Sequence, residues 1–144
     1  MEVKIKKLSE TAHIPTKGTP LSAGYDLYSD HEHKLIIPPG KMHKIHTGIA
    51  IEIPKGYFGA IFARSGLAFK KNLRPVNCVG VIDCDFIDEI IVGLYNDSNE
   101  YVTVEPYERV AQLVILPYQD VDFTEVKELE KKERDGGFGS TGQF

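Results

Sequence analysis

The stretch "VGVIDCDFIDE" gathers four acids, Asp83, Asp85, Asp88 and Glu89, within seven residues. If it is a strand, Asp83 and Asp85 share one face about 7 Å apart, with Cys84 pointing the other way. Two carboxylates that close, sheltered by Val81, Ile82 and Phe86, can push one pKa upward and make a general base. The same residues suit a solvated hairpin tip with Asp88–Glu89 at its turn, and both readings stand. "ARSGLA" sets the Arg64 guanidinium beside the Ser65 hydroxyl at the start of a short helix. That grouping favours an anion, or simply caps the helix. The last twelve residues, "ERDGGFGSTGQF", combine the anion donors Arg134, Ser140 and Thr141 with the flat face of Phe138. Their four glycines leave two readings, a frayed end or a segment that a nucleotide orders. A P-loop is excluded, because no Lys follows "GFGSTG" and no helix can form after it.

These groups need a scaffold, and the dominant period along the chain is two. "KIHTGIAIEIP" puts Ile45, Thr47, Ile49, Ile51 and Ile53 on one face of a single half-buried strand ended by Pro54 and Gly56. "VKIKKL", "KLIIPPG", "YFGAIFA", "EIIVGLY", "YVTVEP" and "RVAQLVILP" are further short runs bounded by Gly, Pro, Asn or Asp. Many short strands with regular turn signals predict an all-β sandwich or barrel. "SGLAFKKNL" is the one short helix, capped by Ser65. "TEVKELEKKERD" lacks an apolar stripe and reads as an extended arm needing another surface. With no internal repeat and no linker, residues 1–144 form one domain, with an arm over 117–144.

The 144 residues suffice to bury a core. A net charge of −4 argues against a nucleic-acid duplex or an anionic membrane, so any phosphate must be gripped locally. No apolar run approaches the ~20 residues of a membrane span and no signal-peptide core is visible, which predicts a cytoplasmic protein. Cys78 and Cys84, roughly 20 Å apart on one strand, are expected as free thiols. The five histidines complete no zinc pattern.

Together "SAGYDLYS", "ARSGLA", "VGVIDCDF", "ERVAQL" and "GGFGSTG" resemble, in order and spacing, the five motifs of homotrimeric dUTP diphosphatases, from about residue 3 to 142. The resemblance implies a jelly-roll-like β-sandwich that splits dUTP into dUMP and pyrophosphate, keeping uracil out of DNA and supplying dUMP. Water would attack the α-phosphate, with Mg²⁺ carried mainly on the triphosphate. Asp83 matches the general base, Asp26 the carboxylate that holds the metal through water, and Gln112 the residue that helps position water and α-phosphate. Arg64, Ser65 and Gly66 match phosphate binders. Base selection would come from the main chain around Val81, Ile82, Asp83 and Ile91, with Asn77 nearby. Phe86 stands where a Tyr usually lies under the deoxyribose. In the mobile fifth motif Phe138 would stack on uracil, while Arg134, Gly139, Ser140 and Thr141 would hold the γ-phosphate. Each site would be shared among three subunits, with the arm exchanged between them.

Four departures stand out. Ile87 and Asp88 replace the usual arginine and glycine, Tyr107 replaces a usual glycine, and the tail is one residue short between Arg134 and "GGFG". The related dCTP deaminases carry a catalytic Glu ten residues after the Asp matched by Asp83; here that position is Gly93, which argues against deamination. A nucleotide-gated regulatory role, as in some relatives, is compatible as an addition.

Overall fold

The computed structural model describes residues 1–130, which form twelve strands and one short helix. In chain order these are β1 (Lys4–Lys7), β2 (Thr16–Lys17), β3 (Tyr25–Tyr28), β4 (Leu35–Ile37), β5 (Met42–His46), β6 (Ile49–Glu52), β7 (Tyr57–Phe62), α1 (Ser65–Lys71), β8 (Leu73–Pro75), β9 (Gly80–Ile82), β10 (Ile91–Asn96), β11 (Val102–Val104) and β12 (Arg109–Pro117). Strands β2-β3-β12-β7-β9 make a five-stranded sheet and β5-β10-β8 a three-stranded one; β1 pairs with β6 and β11 with β4. The pairings are antiparallel. This is an all-β architecture, as the period-two runs predict, and of the jelly-roll type that the family resemblance implies. The sheets meet around a core that includes Leu27, Ile37, Ile45, Ile49, Leu94 and Val110, all essentially inaccessible to water. Burying each such side chain is worth roughly 1.5–3 kcal/mol.

The run "KIHTGIAIEIP" is two strands rather than one. Its five inward residues are all buried, as alternation requires, but Gly48 interrupts the run at φ +64°. On either side β5 joins β10 and β6 joins β1. A Cβ on Gly48 would overlap the Asp30 carboxylate and lie 2.8 Å from the Ala12 methyl, so glycine is required for room as well as for φ. The Thr47 hydroxyl donates to the Ile90 carbonyl at 2.5 Å, satisfying the one polar group of the inward set.

The helix also starts one residue earlier in role than its sequence suggests. Arg64, with extended backbone, holds the capping position and makes no side-chain cap, while Ser65 is the first helical residue. The helix closes on Asn72, left-handed at φ +52°. Beyond β12, residues 118–130 form neither strand nor helix, and Val121, Phe123, Val126 and Leu129 are exposed. No helix among the described residues is long and apolar enough to cross a membrane.

Candidate active site

At one end of the five-stranded sheet, Gln112 of β12 lies directly opposite Asp26 of β3 and Phe62 of β7. Residues directly opposite one another project from the same face, so the amide and the carboxylate stand side by side. Arg64, two residues past the end of β7, donates from Nε to Asp26 Oδ1 at 2.7 Å. Arg109 donates from Nη1 to Asp26 Oδ2 at 3.2 Å, and Arg64 Nη1 donates to the Arg109 carbonyl at 3.0 Å. Asp26 is buried, and a buried carboxylate is stable only when paired. Here two guanidinium groups share it, which fixes their planes and leaves other N–H donors facing outwards. Gln112 donates from Nε2 to the Ala63 carbonyl at 2.9 Å. With Gly18, Ser22, Gly24, Ser65 and Gly66, these side chains line one cleft.

Arg109 is the member that the sequence did not offer. It lies three residues before Gln112, and strict strand alternation would send the two side chains to opposite faces. A β-bulge between Arg109 and Ala111 inserts Val110 and restores them to the same side. Nothing in "RVAQ" marks the bulge: Val110 and Ala111 are adjacent and both buried, but so are Ile49, Ala50 and Ile51 on β6, whose register is unbroken.

The acid cluster resolves differently from its strand reading. β9 stops at Ile82, and the Phe86 N–H donates to the Asp83 carbonyl at 3.1 Å, closing a turn. Asp83 and Asp85 are therefore exposed turn residues rather than neighbours on a strand. Both line a second cavity with Phe58, Val81, Cys84 and Tyr118. The Tyr118 phenol there is held above its ordinary range, chiefly by the Cys84 sulfur and then by desolvation. Glu89 turns inward, accepting the Gly48 N–H at 2.9 Å and pairing with His46 Nδ1 at 2.9 Å. It anchors the segment rather than adding to its acidity. Cys78 and Cys84 are free and flank β9. Asn77 is exposed just before β9, Phe86 follows the turn, and Ile91 opens β10.

The structure thus gathers Asp26, Arg64, Ser65, Gly66 and Gln112 in one cleft, and places Asn77, Val81, Ile82, Asp83 and Phe86 around β9. The register Gly59↔Ile82 sets Asp83 beside the start of β7, whereas Arg64 follows its end. Six extended residues from Phe58 to Arg64 span roughly 20 Å. Within one chain the acid turn and the arginine cleft are separate. Arg134, Phe138, Gly139, Ser140 and Thr141 lie outside the described residues.

The arginine cleft is built for an anion. Among the described residues its lining includes one carboxylate, Asp26, whose charge is already shared by two arginines. That donor set does not suit a metal ion held by protein alone. It does fit a hydrated Mg²⁺ brought in on a polyphosphate, since Mg²⁺ keeps several waters and a carboxylate oxygen can accept from them.

A jelly roll with an arginine-lined anion cleft and a separate acid-bearing turn has the make-up of a nucleotide hydrolase. A family model described as dUTPase matches residues 10–142. The chain is 47% identical over 144 residues to the deoxyuridine 5'-triphosphate nucleotidohydrolase of Nautilia profundicola, covering 99% of this chain and 100% of that protein. It is 45% identical to the enzyme of the same name from Hydrogenobaculum sp., with 99% of each covered. A mutant of the Staphylococcus bacteriophage 80alpha dUTPase with dUpNHpp superposes with a TM-score of 0.86 at 29% identity, covering 98% of both chains. The chain belongs to the dUTPase family and is a dUTP nucleotidohydrolase, converting dUTP to dUMP.

Proposed function

We propose that the chain cleaves dUTP to dUMP and pyrophosphate, with Asp83 drawing a proton from the water that attacks the α-phosphate. The observation that carries this reading is the cleft in which Asp26 holds Arg64 and Arg109 against Gln112. Arg64, with Ser65 and Gly66, binds the phosphate chain, and Gln112 orients the α-phosphate and water. Such fixed donors stabilise charge that develops in the transition state without reorganising. Mg²⁺ on the triphosphate would neutralise part of its charge, with Asp26 as an outer partner through water. The main chain around Val81, Ile82 and Ile91, with Asn77 beside it, reads the uracil edge, and Phe86 excludes a 2′-hydroxyl by bulk. Phe138 covers the base while Arg134, Gly139, Ser140 and Thr141 hold the γ-phosphate.

The roughly 20 Å between Asp83 and Arg64 argues that one chain supplies the acid turn and another the arginine cleft. Assembly as a homotrimer, with the 117–144 arm crossing to a neighbour, meets that need. It also gives Val121, Phe123 and Val126 a surface to cover, for which the groove lined by Val3, Ile5, Ile14, Tyr25 and Ile115 is suited. The same reading makes this a single-domain cytoplasmic enzyme.

Incubation with dUTP, dCTP, dTTP or UTP plus Mg²⁺ tests the substrate, and pyrophosphate should appear with dUTP alone. Asp83→Asn should lower turnover by about a hundredfold or more while a non-hydrolysable dUTP analogue binds within a few-fold of the parent. Turnover within tenfold of the parent would show that Asp83 is not the base.

A further inference from the structure

The hydrogen bond from Gln112 Nε2 to the Ala63 carbonyl also sets which end of the amide is which: nitrogen toward Ala63, oxygen over Gly24. Gly24 lies two residues before Asp26, the residue directly opposite Gln112, and immediately before β3 begins at Tyr25. A Cβ on Gly24 would overlap Gln112 Oε1 and lie 3.2 Å from Cδ and 3.3 Å from Cβ. The φ of Gly24 lies outside the left-handed region that demands glycine. What glycine supplies at this position is room.

We propose that Gly24 is a positioning residue for dUTP hydrolysis. Its bare Cα is the seat on which the Gln112 amide lies, and only there can the nitrogen reach Ala63 while the rest of the amide faces the phosphate. A methyl at position 24 lifts the amide off that seat and turns it away from the α-phosphate. Asp26, Arg64 and Arg109 are held by their own ion pairs, so ground-state grip on the triphosphate survives. The inference rests on the role given to Gln112 above.

A double-mutant cycle with Gly24→Ala and Gln112→Ala tests it, reading kcat, KM and thermal midpoint. Gly24→Ala alone should lower kcat at least about tenfold with KM within a few-fold, the mark of misplacement at the reacting centre. In the Gln112→Ala background the same change should alter kcat by less than about twofold, because there is no amide left to displace. The double variant should also melt no lower than Gln112→Ala, since the new methyl enters space that the amide has vacated. If Gly24→Ala retains parental kcat while Gln112→Ala is impaired, the inference is wrong and the Gln112 role stands. An equal loss in both backgrounds marks a structural glycine and also overturns it. If Gln112→Ala itself keeps parental kcat, the Gln112 role fails and the inference falls with it. Should Gly24→Ala alone not fold, the double variant decides: folding like Gln112→Ala supports the seat, and failure to fold refutes it.

Discussion

Tyr107 occupies the third position of a turn in which the Glu108 N–H donates to the Glu105 carbonyl at 3.2 Å, with Pro106 second and φ +55° at the tyrosine. That is a type II turn, whose third position favours glycine, the residue usual in the family. A left-handed non-glycine residue costs roughly 1–2 kcal/mol. Part of that is offset by the ring, which packs on His13 with centroids 5.3 Å apart; His13 in turn stacks on Tyr28 at 5.1 Å. Contacts of this kind contribute about 0.5–1.5 kcal/mol. Tyr107→Ala would lose the ring and keep the strain, whereas Tyr107→Gly would lose both. The glycine variant should therefore be about 1 kcal/mol more stable than the alanine variant, the reverse of the usual order. Urea midpoints compare them directly, and an alanine variant as stable as the glycine one would show that the turn carries no strain. At this scale Arg64 was legible in the sequence from the chemistry of its own motif, and Asp26 and Gln112 only through the likeness of theirs to the family's. Arg109 and Gly24 were not, one hidden by a bulge and the other active through what it lacks.

Where β5 gives way to β6, one junction ties three segments together. His31 Nε2 accepts the His46 N–H at 3.3 Å, the His46 ring pairs with Glu89, and Glu89 accepts from Gly48. Accepting requires the neutral form of His31. Its pKa lies below the ordinary 6.5, first through burial and then through His46 and His43, with Asp30 and Glu89 pulling the other way. The folded state therefore binds this proton less readily than the unfolded chain. The resulting stability is complete above pH 6.5 and is lost as pH falls through the lowered value. Denaturation midpoints between about pH 7.5 and 5 should fall less steeply for His31→Gln than for the parent. Parallel curves would mean that His31 titrates alike in both states. The strands around this junction could be read from alternation, but the break between them could not. Ile45, Thr47 and Ile49 keep the same parity across Gly48, so the period runs on where the backbone turns from one sheet to another.

For the whole molecule, the separation of Asp83 from Arg64 along β7 makes activity depend on assembly if both serve one site, as proposed above. Asp83→Ala and a chain ending at Glu133 should each be inactive as homotrimers. Refolded together in equal amounts, they should regain roughly a quarter of the parental sites, because a site needs its acid turn from a truncated chain and its tail from the other. Activity near zero in mixed trimers confirmed by mass would return the complete site to one chain. The sequence carried the fold class through its period and the five motifs through their order. It could not show that the acid turn and the arginine cleft lie at opposite ends of a strand, because that follows from pairing β7 with β9 and β12 together. The bulge on β12 links the interior to the cleft. Its inserted residue, Val110, is 1% exposed and belongs to the core, and the register shift at that residue sets Arg109 on the side of Asp26. A heritable change at Val110 that lets the bulge slip would register in a screen of variants as an enzymatic lesion. Loss-of-function alleles would then cluster in the interior as well as in the cleft, at a position with no chemistry of its own.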